Sequence, residues 1–344
     1  MSTERGRIQI RGFDADRVTE RDPLSDWMED TQTGTEGRWA RAWRDFRNNR
    51  SAMLGLWLVA GLSLLAVFAR PVVVEGVTVQ PFSLAPHPPD QLLYLKYPEV
   101  SSYQPPSPRT PFGTDGSARD IFSRILYGGR FSISIGFVVV VLTGSIGLAY
   151  GAVAGYYGGY VDKVLMRFVD VVFAFPALVL ALLIIAFLGK GYWELVLAFT
   201  LTGWAGYARI IRGEILSVKQ NEYVTAAKAL GARDRSVIFR HIVPNAIAPM
   251  IVQASLAIGT TVIGVAALGF LGLGMPPTSA EWGTMLNSAR ESLITGPGGT
   301  LPWWATVFPG GAIFTFVLAM NLIGDGINDA LNAQQTTVGP GGED

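Results

Sequence analysis

Side chains able to do chemistry are scarce in this sequence, and their spacing excludes most reactions. There is no cysteine, so neither a disulfide framework nor a thiolate metal site can form. The two histidines, His87 and His241, stand far apart with no Asp or Glu cluster beside either, which rules against a zinc or iron centre. No G-x-x-x-x-G-K-[ST] loop occurs: the only Gly-Lys pair, Gly189-Lys190, has Ile184 where the first glycine belongs. Neither H-E-x-x-H nor G-x-S-x-G is present. The expectation is a protein that is not an enzyme, holds no cofactor of its own and cannot hydrolyse ATP alone.

One polar stretch has the pattern of a docking element. From Tyr223 to Leu230 the residues favour a helix, and Gly231 is the usual residue for a left-handed C-terminal stop. Arg233 to His241 reads as a second short helix, and Pro244 opens the next apolar run. Such a helix-turn-helix makes a rigid knob with a small-residue face at Ala226, Ala227 and Ala229, suited to a groove on a soluble partner. Lys219 lies outside the helix pair and is expected to matter little.

Three further polar residues, Asp170, Asn321 and Asp325, fall within or beside apolar runs, where an ionisable group is by default a functional candidate. They are the candidates for a transport pathway or gate. Asp170 and Asp325 lie near span ends, where solvation, or pairing with Arg167 in the case of Asp170, is the favoured account. Trp204, Tyr207 and Asn321 either line a path or pack, and packing is the simpler reading.

The elements that must position these residues are membrane spans. The chain is 49% apolar and 16% charged over 344 residues, too little charge for a soluble domain of that size. A polar tail, 1–37, is expected to be largely disordered and lacks the early apolar core of a cleavable signal. Over 38–50, Trp39, Trp43 and Phe46 share one helical stripe among Arg38, Arg41, Arg44, Arg47 and Arg50, which predicts a helix lying on membrane lipid. The first span covers 51–70, and a proline-rich loop follows over 71–130. The core, 131–333, holds five more spans: Phe131 to Val161, from about Leu165 to Gly189, Leu195 to Ile215, one within the uncharged run Ile242 to Ala280, and Trp304 to Ile323. The knob lies within 217–245, and a short tail, 334–344, ends the chain. Glycines crowd the second and fifth spans, as close helix packing requires where lipid supplies no hydrophobic drive.

Lys and Arg near the span ends set the orientation. The first fifty residues hold ten arginines, and 217–241 holds Lys219, Lys228, Arg233, Arg235 and Arg240. Both regions are therefore expected on the cytoplasmic side, with both termini inside and the proline-rich loop outside.

The knob segment resembles the cytoplasmic signature of ATP-binding-cassette importer permeases, E-A-A, three residues, G, nine residues, I, one residue, L-P. Ala226, Ala227, Gly231 and Pro244 match it, while Thr225, His241 and Val243 stand at its Glu, Ile and Leu positions. Other stretches look like the second, C-type permease of the dipeptide, oligopeptide and nickel importers: Pro111-Phe112-Gly113-Thr114-Asp115, Ala174-Phe175-Pro176, Leu268-Gly269-Phe270-Leu271-Gly272, Glu281-Trp282-Gly283 and Gly324-Asp325-Gly326. The resemblance implies an all-α, six-span type I permease bundle with a coupling helix-turn-helix at Tyr223, Thr225, Ala226, Ala227, Gly231, Ala232 and Pro244. It implies alternating access and, as partners, a second homologous permease, two ATP-hydrolysing subunits that carry ATP and magnesium, an external substrate-binding protein and membrane lipid, with no nucleic acid. Peptides are the implied cargo. A nickel, metal-chelate or glutathione importer is the nearest alternative, and a membrane scaffold or sensory protein is the alternative from another class.

Overall fold

The computed structural model describes residues 38–74, 77–290, 292 and 301–336. The tail 1–37 and the end of the C-terminal tail from residue 337 lie outside them. In chain order the helices are α1 (Arg38–Asn48), α2 (Arg50–Phe68), α3 (Ile121–Tyr157), α4 (Gly159–Phe173), α5 (Ala177–Leu188), α6 (Tyr192–Val218), α7 (Glu222–Ala229), α8 (Asp234–Ser236), α9 (Val243–Ala246), α10 (Ala248–Phe270), α11 (Trp282–Ala289) and α12 (Trp304–Thr336). A small antiparallel hairpin, β1 (Val72–Val74) and β2 (Val77–Gln80), follows α2.

Four single helices, α2, α3, α10 and α12, are long and apolar enough to cross a membrane, and α4 with α5 makes a fifth span if the bent pair is counted as one. The 27 residues of α6 would reach across at ~1.5 Å per residue. It carries Glu194, Arg209, Arg212 and Glu214, so composition alone does not mark it. The expected unbroken third span is in fact two helices meeting at 82°. The break falls at Ala174-Phe175-Pro176, because Pro176 has no N–H for the ladder and its ring disfavours helical backbone in Phe175.

Glycine spacing decides how α3 and α6 meet. Gly147, Gly151 and Gly155 recur every fourth residue and so share one face. A Cβ at Gly147 would strike the Tyr207 Cβ, one at Gly151 would strike the Ala208 carbonyl, and one at Gly155 would lie 3.0 Å from the Ile215 Cβ. The two helices pack backbone to backbone along that line, as small residues allow within lipid.

The stretch 71–130, expected as a loop, forms a packed cap over one end of the bundle, and α3 begins inside it, ten residues before the expected start of the second span. The buried Arg124 donates to the Pro89 carbonyl at 2.8 Å and to the Ser279 carbonyl at 2.8 Å, tying the cap to the α10–α11 connection. Arg130 closes the C-terminal end of α2 by donating to the carbonyls of Ala66, 2.8 Å, and Val67, 2.7 Å. Phe112 stacks on Phe308 with ring centres 4.0 Å apart. At the opposite end, α1 packs rather than merely lying on a surface: Ala42 and Phe46 are buried against Ala52 and Ala330, while Trp39 and Trp43 stay exposed.

Candidate functional site: the knob between α6 and α10

The knob is built from two short helical pieces on a buried apolar root. Val224, Val237, Ile238 and Ile242 are buried in one cluster with Tyr156 at the end of α3 and Ile215 and Val218 at the end of α6. Burying those side chains fixes the pieces against the two longest-contacting helices of the bundle and leaves their opposite face free.

Gly231 ends α7 as expected, and the geometry is specific. Its φ is +82°, its N–H donates to the Lys228 carbonyl, and the Ala232 N–H donates to the Ala227 carbonyl at 3.1 Å. Those two bonds define a Schellman stop, which satisfies carbonyls the helix end would otherwise orphan. The expected second helix is wound differently. After α8 the turn Val237–Ile242 is a π-helix, and the ladder then loses a donor at Pro244. Asn245 Nδ2 donates to the His241 carbonyl at 2.7 Å beside this break.

Of the residues assigned to coupling, Tyr223, Thr225, Ala226, Gly231 and Pro244 are exposed, and Ala227 and Ala232 are half-buried. Two apolar side chains that sequence reasoning passed over project furthest: Leu230 is 88% and Phe239 68% exposed. Large apolar groups held outward on a rigid segment call for a covering surface.

A polar clasp, also missed, locks the knob to α3. The Tyr156 hydroxyl donates to Asp234, its carbonyl accepts from Lys219 Nζ at 2.5 Å, and Lys228 Nζ lies 4.6 Å from its ring centre. Lys219, although outside the helix pair, therefore contacts the end of α3. Nothing local in the sequence points to a contact between residues 78 positions apart.

The pathway candidates separate. Asp170 pairs with Arg209 at 3.1 Å, not with Arg167, and Arg209 also covers the Phe173 ring at 4.2 Å. One turn pair earlier on α4, Asp162 accepts from Arg212 Nη2 at 2.6 Å. Both pairs pin α4 to α6. Asn321 and Asp325 lie one turn apart on an exposed face of α12. Neither lines the cavities between α6 and α10, whose walls are other residues. Among the described residues no three His, Cys, Asp or Glu side chains come together as a metal site would need.

A multi-span helical bundle carrying a rigid, partner-seeking knob outside its spans is the architecture of a membrane transport subunit. The chain belongs to the family of binding-protein-dependent transport system inner membrane components, whose profile matches residues 147–336. Residues 37–106 match the N-terminal membrane domain of oligopeptide transport permease C. It is 37% identical to the dipeptide transport system permease protein DppC of Alkalihalophilus pseudofirmus, over 90% of this chain and 94% of that protein. It is 38% identical to the glutathione transport system permease protein GsiD of Escherichia coli O6:K15:H31, over 86% and 90%, and 37% identical to the oligopeptide transport system permease protein OppC of Bacillus subtilis, over 86% and 89%. A solved amino acid ABC transporter with histidines superposes with a TM-score of 0.41 at 17% identity, over 64% of this chain and 99% of that one, too distant to add to the family likeness.

Proposed function

We propose that this chain is one of two conducting subunits of an ATP-driven peptide importer. The observation that carries the reading is the knob, rigid at its root and apolar at its tip, where Leu230 and Phe239 await a groove. In a chain with no phosphate-binding loop that groove belongs to an ATP-hydrolysing subunit, and closure of two such subunits would pull on two knobs and rock the helices between outward-open and inward-open. The excess of Lys and Arg in the first fifty residues and in 217–241 supports a knob in the cytoplasm, both termini inside and the 71–130 cap outside, facing a substrate-binding protein.

A second permease is supported by the bent arm. Phe168, Phe173, Phe175, Val179 and Phe187 are exposed along α4 and α5, and the non-helical backbone at 174–176 is exposed with them. Irregular backbone at membrane depth is tolerated against protein or water but not against lipid, which supports a protein partner over this apolar face. Peptides are favoured as cargo by relatives named for dipeptide and oligopeptide transport, and a relative named for glutathione keeps that tripeptide as the second reading.

The test is reconstitution. Alone in proteoliposomes the chain is expected neither to hydrolyse ATP nor to accumulate peptide, and with its ATPase, permease and binding-protein partners it accumulates peptide on addition of ATP. Uptake driven by a proton or sodium gradient without any ATPase would refute the reading.

A further inference from the structure

Two cavities open on either side of a single side chain, Gln253 of α10. The first, about 220 Å³, lies between α3, α6, α10 and the start of α5 at Ala177, just beyond the bend. Its polar wall is Thr143, Thr202, Tyr207, Gln253, Thr260 and Thr261. The second, about 380 Å³, lies nearer the knob between α6, α10 and α12, with Glu214, Asn245, Gln253 and Asn328 in its wall. Gln253 lines both.

These residues sit where a bundle packed only for stability would carry apolar side chains. A polar group in a span interior is expensive, so a line of them marks a route for something polar. Tyr207 is 5% exposed and lines the first cavity, with its hydroxyl beside Thr143. The threonines are complementary. Thr143 donates to the Val139 carbonyl at 2.8 Å, Thr202 to Ala198 at 3.1 Å and Thr260 to Ala257 at 3.1 Å. With their hydrogens engaged, their oxygens remain as acceptors.

The wall of the first cavity therefore offers neutral hydroxyl oxygens as acceptors, the phenol of Tyr207 and an amide that both donates and accepts, with no charged side chain. That set matches a peptide main chain, whose N–H and C=O groups are common to every peptide whatever its side chains.

We propose that the groove between α6 and α10 is this chain's share of the conducting path, and that Gln253 at its waist, with Tyr207 beside it, hydrogen-bonds the main chain of the passing peptide. The cargo class rests on the peptide reading above, whereas the groove does not.

Two measurements on the assembled transporter test it. The chain has no cysteine, so single cysteines report cleanly. Gln253→Cys and Thr260→Cys are expected to react with a water-soluble methanethiosulfonate reagent much faster than Trp57→Cys, a residue 69% exposed on the outer face of α2. Equal rates at all three positions would overturn the path. In proteoliposomes, Gln253→Leu is expected to lower trialanine uptake about tenfold, the scale of one lost hydrogen bond. Stimulation of ATP hydrolysis by the binding protein is expected to persist, and Gln253→Asn is expected to restore most of the uptake. Wild-type uptake by Gln253→Leu would overturn the role of the amide. If the wild-type complex moves no peptide while Gln253→Cys is still labelled rapidly, the peptide reading fails and the path stands.

Discussion

The hydroxyl of Tyr156, at the last turn of α3, donates to the carboxylate of Asp234 at the first turn of α8. Through that bond the knob is attached to the helix that packs most closely along α6, so a pull on the knob is delivered to the bundle at the Tyr156 end of α3. Tyr156→Phe removes the hydroxyl while keeping the ring beneath Lys228, and one such bond is worth about 0.5–1.5 kcal/mol. The expected phenotype is a transporter that assembles and hydrolyses ATP but moves several-fold less substrate per ATP. An unchanged ratio of substrate moved to ATP hydrolysed would show that the clasp transmits nothing.

Lys219 tests the same clasp from its other side. Its Nζ donates to the Tyr156 carbonyl at 2.5 Å, so Lys219→Ala is expected to weaken coupling in the same direction as Tyr156→Phe. The exposed Ser217 supplies the neutral comparison as Ser217→Ala. The double variant Lys219→Ala with Tyr156→Phe should lose less than the sum of the two single losses, because contacting residues are not additive.

Leu230 and Gly231 separate docking from the integrity of the knob. Leu230 is almost wholly exposed, so Leu230→Glu should leave the folded permease unchanged in melting temperature while the ATPase subunits are lost on purification. Gly231→Val acts otherwise. Nothing crowds a Cβ there, yet φ is +82°, a conformation that costs a β-branched residue about 1–3 kcal/mol. It should distort the knob, and Gly231→Asn, which tolerates left-handed backbone, should be milder. Normal retention of the ATPase by Leu230→Glu would remove the tip from the interface.

What was legible in the sequence was whatever depends on neighbours along the chain. Runs without charge disclosed α2, α3, α10 and α12, and Gly231 disclosed the end of α7, because both signals are local. The 82° bend was half legible: Pro176 announces a break, but the angle depends on what α5 packs against, through Ala181 and Ile185. Partners distant in sequence were not legible. Asp170 was matched to Arg167 three residues away, and its true partner, Arg209, stands 39 positions on. The short helix α11 was not read from the sequence because its amphipathic stripe is only eight residues long and its first neighbour, Glu281, is a buried cap rather than a surface charge.

Orientation gives a direct prediction. Ser102 lies exposed in the cap and Ser236 half-buried in the knob, on opposite ends of the bundle. With the cap outside, Ser102→Cys in intact cells should react with a membrane-impermeant maleimide, and Ser236→Cys should react only after the cells are opened. The reverse pattern would invert the topology and, with it, the side on which the ATPase docks.

Glu281 makes the cap pH-dependent. It is the N-cap of α11, accepting from Gly283 N at 2.8 Å, Thr284 N at 2.7 Å and Thr284 Oγ1 at 2.9 Å. Burial is the largest influence on its carboxyl and raises it above the ordinary carboxylate range, and the hydrogen bonds only partly oppose that. Burial raises Asp120, the N-cap of α3, in the same direction, against the opposing bonds from Ser123. A carboxyl whose folded pKa exceeds its unfolded one binds its proton more tightly in the fold. Its contribution to stability is full below the unfolded value, about 4, and is lost as the pH rises through the higher folded value. The melting temperature of the wild type should therefore fall, relative to Glu281→Gln, as the pH is raised from about 4 to about 8, since the amide keeps an acceptor for the cap but cannot ionise. Glu281→Ala should be worse than either at every pH, because two or three buried donors lose their partner at about 1–3 kcal/mol each. A gap between wild type and Glu281→Gln that does not change with pH would mean that Glu281 stays ionised in the fold, with the N–H groups of Gly283 and Thr284 outweighing its burial.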